Sequence, residues 1–182
     1  MLNLWEPLAN DSLYDKKYAG DSGVCKGCIN NCCNAAFVIP DLISFKALCQ
    51  ATTGSPERFL ESFVEPDRLL AGIPRVKSNP CIFLKQQVCT VYEARCLICR
   101  FYLCTDIEGE TEQLIYSVVT AGIAATIIWL EKMGFVKPLS SAKTGFDRAL
   151  VDLINSYRDH PGTAEFLQAS SYKDIKLHHF TT

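Results

Sequence analysis

The sequence predicts a mainly α-helical fold with a small cysteine-rich metal-binding region and a short β-hairpin, packed on a C-terminal helical portion. Three observations point there. All ten cysteines lie between residues 25 and 104, so one half of the chain carries a thiol-rich site and the other carries none. Residues 114–130, LIYSVVTAGIAATIIWL, run without a charge, as the central helix of a bundle would. Phe146, Ala149, Leu150, Leu153, Ile154 and Tyr157 then recur at helical spacing before Pro161, which predicts a further helix with these residues in the core.

A chain of 182 residues that is 48% hydrophobic can bury a core without covalent staples, and its length is that of one domain. We divide it into a cysteine-cluster region, 20–104, and a helical portion, 105–182, of the same globular unit. The first twenty residues contain no basic segment followed by an apolar run, so a cleaved secretory signal is not expected and the cytoplasm is the default compartment. In that reducing setting clustered cysteines hold metal or do redox chemistry more often than they form permanent bridges. The net charge of −2 and the interspersed signs leave no basic stripe, so nucleic acid is not an expected partner. The uncharged stretch raises the question of a membrane. It falls short of a span of about 20 residues, and it carries Ser117, Thr120, Gly122 and Thr126. With Glu110 and Glu112 before it and Glu131 and Lys132 after it, a buried helix is the expected reading and a membrane is not an expected partner.

Between the two cysteine groups, FVIPDLISFKALCQATTGSPERFLESFVEPDRLL reads as two or three helices. Pro40 suits the first helical position and Gly54 a helix end. Ser55 suits the cap of the next helix, with Pro56 opening it and Phe59, Leu60 and Phe63 on one apolar face. Cys49 falls among the apolar positions of the first of these helices and reads as a small buried hydrophobe. After RVKSNP, the segments CIFL and VCTVY have the composition of a small hairpin, and EARCLICRFY that of a helical turn.

The segment VCKGCINNCC, residues 24–33, holds Cys25, Cys28, Cys32 and Cys33. Three chemistries compete for such a cluster: a disulfide framework, a thiol redox centre and a metal site. A soft metal or an iron–sulfur cluster needs several thiolates converging on one point. Two intervening residues between Cys25 and Cys28 permit this, and Gly27 supplies the turn. Cys32 and Cys33 are adjacent, so in an extended backbone their side chains diverge and need not serve one metal. Further ligands then come from Cys81, Cys89 and Cys99, brought close by folding of the helical insert. Two separated dense clusters in a chain with three histidines favour metal over the other two chemistries.

The order CKGCINNCC, IPDLISFKALCQATTGSPERFLESFV, CIFLKQQVCTVYEARCLICRFY resembles the YkgJ-like cysteine-cluster family of the CxxCxxCC type, a family of zinc- or iron-chelating domains. The likeness covers residues 20–104. Carried over position by position, it implies roles for Cys25, Cys28, Cys32, Cys33, Cys81, Phe83, Leu84, Cys89, Tyr92, Glu93, Arg95, Cys99 and Arg100, with the seven cysteines as the metal set. The implied cofactor is zinc or an iron–sulfur cluster, the latter of the 4Fe-4S type. The chain departs from the family pattern in the three residues between Cys28 and Cys32 and in Cys96, where proline is usual; Cys96 and Cys104 add thiols beyond that set.

Arg95 and Arg100 read in two ways: as guanidinium groups that stabilise a negatively charged thiolate site, or as surface arginines with ordinary ion pairs. The resemblance favours the first. Tyr92 and Phe83 read as core aromatics under the site. Function reads first as metal binding, with a protein partner in view. An alternative is an iron–sulfur enzyme or redox protein, for example part of a protein-modifying system; flagellin lysine methylases include a related cysteine-rich region, but they are much longer and this chain shows no glycine-rich loop for a methyl donor. A dithiol carrier using Cys25 and Cys28 lacks the usual strand and helix context. His160, His178 and His179 lie far from the cysteines in sequence; the adjacent pair could bind metal incidentally, but a solvated tail is the favoured reading.

Overall fold

The structure, a computed structural model, describes residues 32–34, 37–101, 110–138 and 145–180. Cys25, Cys28 and Cys104 lie outside the described residues, and of Cys32 the backbone alone is described.

Helix α1 (Leu42–Thr52) begins one residue after Asp41, whose carboxylate accepts from the Ser44 amide at 3.0 Å. Pro40 is therefore not the first helical residue. A carboxylate satisfies a free amide of the first turn, and that places the helix start after Asp41. Gly54, at φ +72°, ends the helix by donating its amide to the Cys49 carbonyl at 2.7 Å. Ser55 caps α2 (Pro56–Phe63) through the Arg58 amide, with Pro56 at its opening, as the sequence predicts. A short α3 (Pro66–Leu70) follows, and an isolated antiparallel bridge from Val64 to Val76 returns the chain to the end of α2.

The hairpin is shorter than CIFL and VCTVY suggest. Strands β1 (Leu84–Lys85) and β2 (Val88–Cys89) pair antiparallel in the register Leu84 to Cys89, across Gln86 and Gln87, both at positive φ. Residues 81–83 form a turn before it, with the Leu84 amide donating to the Cys81 carbonyl. A 3-10 turn (Tyr92–Ala94) and α4 (Leu97–Phe101) complete the cysteine-bearing segment.

The long helix α5 (Glu110–Lys132) is the centre of the fold; α6 (Gly145–Ser156) and α7 (Pro161–Gln168) follow. By length and composition, residues 112–132 could cross a membrane. Here the helix is the core: Val118, Val119, Ala121 and Ala125 pack with Leu42, Leu97, Phe166, Tyr172, Ile175, Leu177 and Phe180. Leu130 joins a second cluster with Phe45, Leu48, Phe59, Phe83 and Cys96, while Ala124 and Ile127 meet Ile154. The hydroxyls of Ser117, Thr120 and Thr126 on α5 each find a partner within the protein. Thr126 donates to the Pro40 carbonyl at 2.9 Å, Thr120 to the Tyr116 carbonyl at 2.7 Å, and Ser117 shares a hydrogen bond with the Tyr157 hydroxyl. The described parts of the cysteine region and of the C-terminal portion thus share cores through one helix.

Two expectations are corrected. Phe146, Ala149 and Leu153 are not core residues: Phe146 is 62% exposed, Leu153 48%, and Ala149 is exposed as well. The inward stripe of α6 is Asp147, Leu150 and Ile154, continued by Tyr157 just beyond the helix, and Asp147 is accommodated because it pairs with Arg68 of α3. The other correction concerns the C-terminal histidines, which do not lie on a solvated tail. Two 3-10 turns, Tyr172–Asp174 and Leu177–His179, bury Tyr172, Ile175, Leu177 and Phe180, and His179 Nε2 stands 3.2 Å from Glu165 Oε1. His160 caps α7, its Nδ1 accepting from the Gly162 amide at 3.0 Å, with its ring stacked against both Tyr157 and Phe180.

Candidate metal centre

Three segments carry the described thiols other than Cys49. Cys33 lies on the 3-10 turn Cys32–Asn34, and its carbonyl accepts the Cys81 amide at 2.8 Å, which joins the first cysteine group to the hairpin through the backbone. Cys81 opens the turn before β1 and Cys89 ends β2. Cys96 immediately precedes α4 and Cys99 lies within it, its amide donating to the Cys96 carbonyl at 2.9 Å. Beneath them Phe83 packs on Phe63 and Phe59, with ring centroids 5.0 and 6.3 Å apart, a rigid aromatic floor.

The thiols feel one another. Burial pushes Cys81 up to about 11, and the negative charge that Cys99, Cys33 and Cys89 would carry adds to it. Cys89 is raised by burial, with Cys33 and Cys99 adding, while the Arg95 guanidinium acts in the opposite sense. Cys96, fully buried, is held well above the usual thiol range by its hydrogen bond to Cys99 and by burial. Cys33, Cys81, Cys89 and Cys99 are partly exposed and free of disulfides. Among the described residues, no group of three or more His, Cys, Asp or Glu side chains is close enough to hold a metal ion by itself. The donor set is nonetheless suited to one: soft sulfur ligands whose thiolates oppose one another's ionisation, a conflict that a bound cation relieves. Cys49 stands apart, packed with Phe45 and Phe59 and pushed up to about 12 by burial, the buried hydrophobe that its sequence position indicates.

Arg95 is buried, donates from Nε to the Tyr92 carbonyl at 3.0 Å and lies 3.5 Å over the Tyr92 ring. Arg100 donates to the carbonyls of Arg95 (3.1 Å) and Glu93 (2.8 Å), bracing the turn that leads into Cys96 and Cys99. Sequence reasoning missed Asp41, Ser44 and Tyr172. The Asp41 carboxylate accepts from the Ser44 hydroxyl (2.6 Å), the Leu97 amide (2.9 Å) and the Tyr172 hydroxyl (3.1 Å to each oxygen). Burial and the Asp41 charge hold Tyr172 well above the usual phenol range. An aspartate just after Pro40 was a legible cap signal; its link to a tyrosine 131 residues away was not.

Fold and site together define a mainly α-helical protein in which a cysteine-bearing segment with a short hairpin packs, through α4, against the long central helix. Residues 24–118 match the family model CxxCxxCC, described as "Putative zinc- or iron-chelating domain", and the chain belongs to this family. The match includes all seven cysteines of the expected ligand set and runs on into α5. No curated protein and no solved structure matches the chain.

Proposed function

We propose that the protein holds a metal centre through the thiolates of Cys25, Cys28, Cys32, Cys33, Cys81, Cys89 and Cys99. The observation that carries this reading is the convergence of Cys33, Cys81, Cys89 and Cys99 from three segments of chain: the Cys81 amide donates to the Cys33 carbonyl at 2.8 Å, and charge on Cys33 or Cys99 opposes the ionisation of Cys81 and Cys89. Cys25, Cys28 and Cys32 complete the donor set in this reading. One closed zinc site and one 4Fe-4S cluster each take four thiolates, so the seven do not choose between them; the absence of histidine from residues 20–104 inclines the reading to an iron–sulfur cluster of the 4Fe-4S type, and two zinc sites would use the surplus. When bound, the centre supplies positive charge against the thiolates and cross-links the first cysteine group to the hairpin. Arg95, which acts on Cys89, offsets part of the remaining negative charge. Free thiols suit a reducing compartment, and we place the protein in the cytoplasm.

The test is elemental analysis and an absorbance spectrum of protein isolated anaerobically without added metal. A broad, dithionite-bleachable band near roughly 400 nm, the thiolate-to-iron charge transfer of a cluster, supports iron. A colourless protein with full zinc occupancy supports zinc, and a folded protein with neither metal and every thiol titratable overturns the proposal.

A further inference from the structure

We propose that Asp41 and Tyr172 are positioning residues for the metal centre, through which the C-terminal segment fixes the turn that presents Cys99. The inference rests on the reading of Cys99 as a ligand. Asp41 is 1% exposed, and its carboxylate serves two helices at once. It caps α1 through the Ser44 amide, and it accepts the Leu97 amide, the first of α4, directly between Cys96 and the turn that carries Cys99. One side chain thereby ties the start of α4 to the start of α1.

That carboxylate is held in turn from the far end of the chain. Tyr172 follows α7, beyond the region matched to the family, and its hydroxyl reaches both Asp41 oxygens at 3.1 Å and lies 2.5 Å from the Ser44 hydroxyl. The Ser44 hydroxyl also stands 3.2 Å from the Arg95 carbonyl, just before Cys96, and the Arg100 guanidinium lies 5.7 Å from the Tyr172 ring. A buried carboxylate keeps its place only while its donors do. Removing the Tyr172 hydroxyl withdraws one donor, lets the carboxylate shift, and loosens its hold on Leu97. Cys99, two residues further on, is then less well placed. A network that served folding alone would change stability without changing how many thiolates reach a metal.

The experiment compares full-length wild type, Tyr172→Phe and Asp41→Asn, with Arg158→Ala, which removes an ion pair in the same C-terminal portion, as a stability control. Zinc affinity is measured by competition with a chromophoric chelator, and the cobalt(II) spectrum reports the thiolate contribution. Melting of the metal-free proteins gives the stability of each. Tyr172→Phe is expected to bind zinc roughly 10- to 100-fold more weakly, the usual effect of losing an outer hydrogen-bond partner, with weaker thiolate-to-cobalt charge transfer. Arg158→Ala, destabilised to a similar degree, is expected to keep wild-type affinity. If Tyr172→Phe does not fold, Asp41→Asn, of nearly the same volume, carries the same expectation. Wild-type affinity and cobalt spectrum in the variants, or a loss no greater than in the control, would overturn the inference alone. A wild-type protein that binds neither zinc nor cobalt would overturn the functional reading and this inference with it.

Discussion

Gly122 of α5 lies directly against Asp41: a Cβ added at Gly122 would stand 2.6 Å from the Asp41 Cβ and 3.2 Å from the Phe166 ring. The long helix can approach the network beside the cysteines only because that position has no side chain. Two effects compete in Gly122→Ala. Alanine gains about 1 kcal/mol in helix propensity, while overpacking a tight contact costs about 1–3 kcal/mol. The 2.6 Å approach is to a Cβ fixed to the backbone, so overpacking wins. Denaturant unfolding of the metal-free protein is expected to show net destabilisation; a variant as stable as wild type would show that α5 can draw back freely.

The cysteines divide by environment. Serine in place of Cys33, Cys81, Cys89 or Cys99 is expected to lower metal per protein sharply, because a hydroxyl is a poor substitute for a thiolate ligand. Cys49→Ser is expected to leave the metal content unchanged and to cost about 1–3 kcal/mol of stability, the penalty of burying a hydroxyl in an apolar cluster. Elemental analysis of anaerobic preparations, beside denaturant titration, checks both halves. Equal metal loss in all five variants would contradict the division.

Alkaline pH probes Cys49 in a different way. Its ordinary value is 9.0, and burial raises it to about 12 in the folded protein. Below pH 9 the thiol is protonated in both states and its contribution to stability is complete. Between 9 and 12 the unfolded chain gives up the proton and the folded protein keeps it, so stability falls as pH rises. Unfolding curves of Cys49→Ala across this window are expected to fall less steeply than those of wild type. Identical slopes would mean that the thiol is not buried as described.

Arg158 makes a two-pronged contact with Glu131 of α5, at 2.9 and 2.5 Å, that ties the chain after α6 to the end of the long helix. The pair is partly exposed, at 30% and 16%, which limits its value to about 1 kcal/mol. Arg158→Ala is expected to lower the melting temperature by a few degrees, with metal content intact. The difference from wild type should shrink in high salt, since an exposed ion pair is screened. A drop that is insensitive to salt would point to lost packing of the arginine stem.

The helices were legible wherever the local chain states its own boundaries. Ser55 and Pro56 announce α2, Gly54 ends α1, and the uncharged run of 114–130 lies wholly within α5. The candidate thiols were legible too, because cysteine is chemically distinctive and its spacing survives as a pattern. Phe146 and Leu153 misled because a one-dimensional apolar count cannot say which stripe turns inward. Their neighbour Asp147 occupies the inner stripe instead, and what makes that possible is Arg68, 79 residues earlier.

By itself, then, the sequence determined that this is a mainly helical protein with a short hairpin, with its cysteines confined to the region before residue 105 and Cys49 set apart as a buried hydrophobe. These properties depend on residue type, period and local capping, which act over a few positions. Tertiary structure alone decided that Cys33 is joined to Cys81, that Gly122 admits Asp41, and that Tyr172 closes the network over Leu97. Those relationships join residues between 48 and 131 positions apart. They exist because close packing around α5 brings the groups together, and because a carboxylate removed from water must find its donors wherever the fold supplies them.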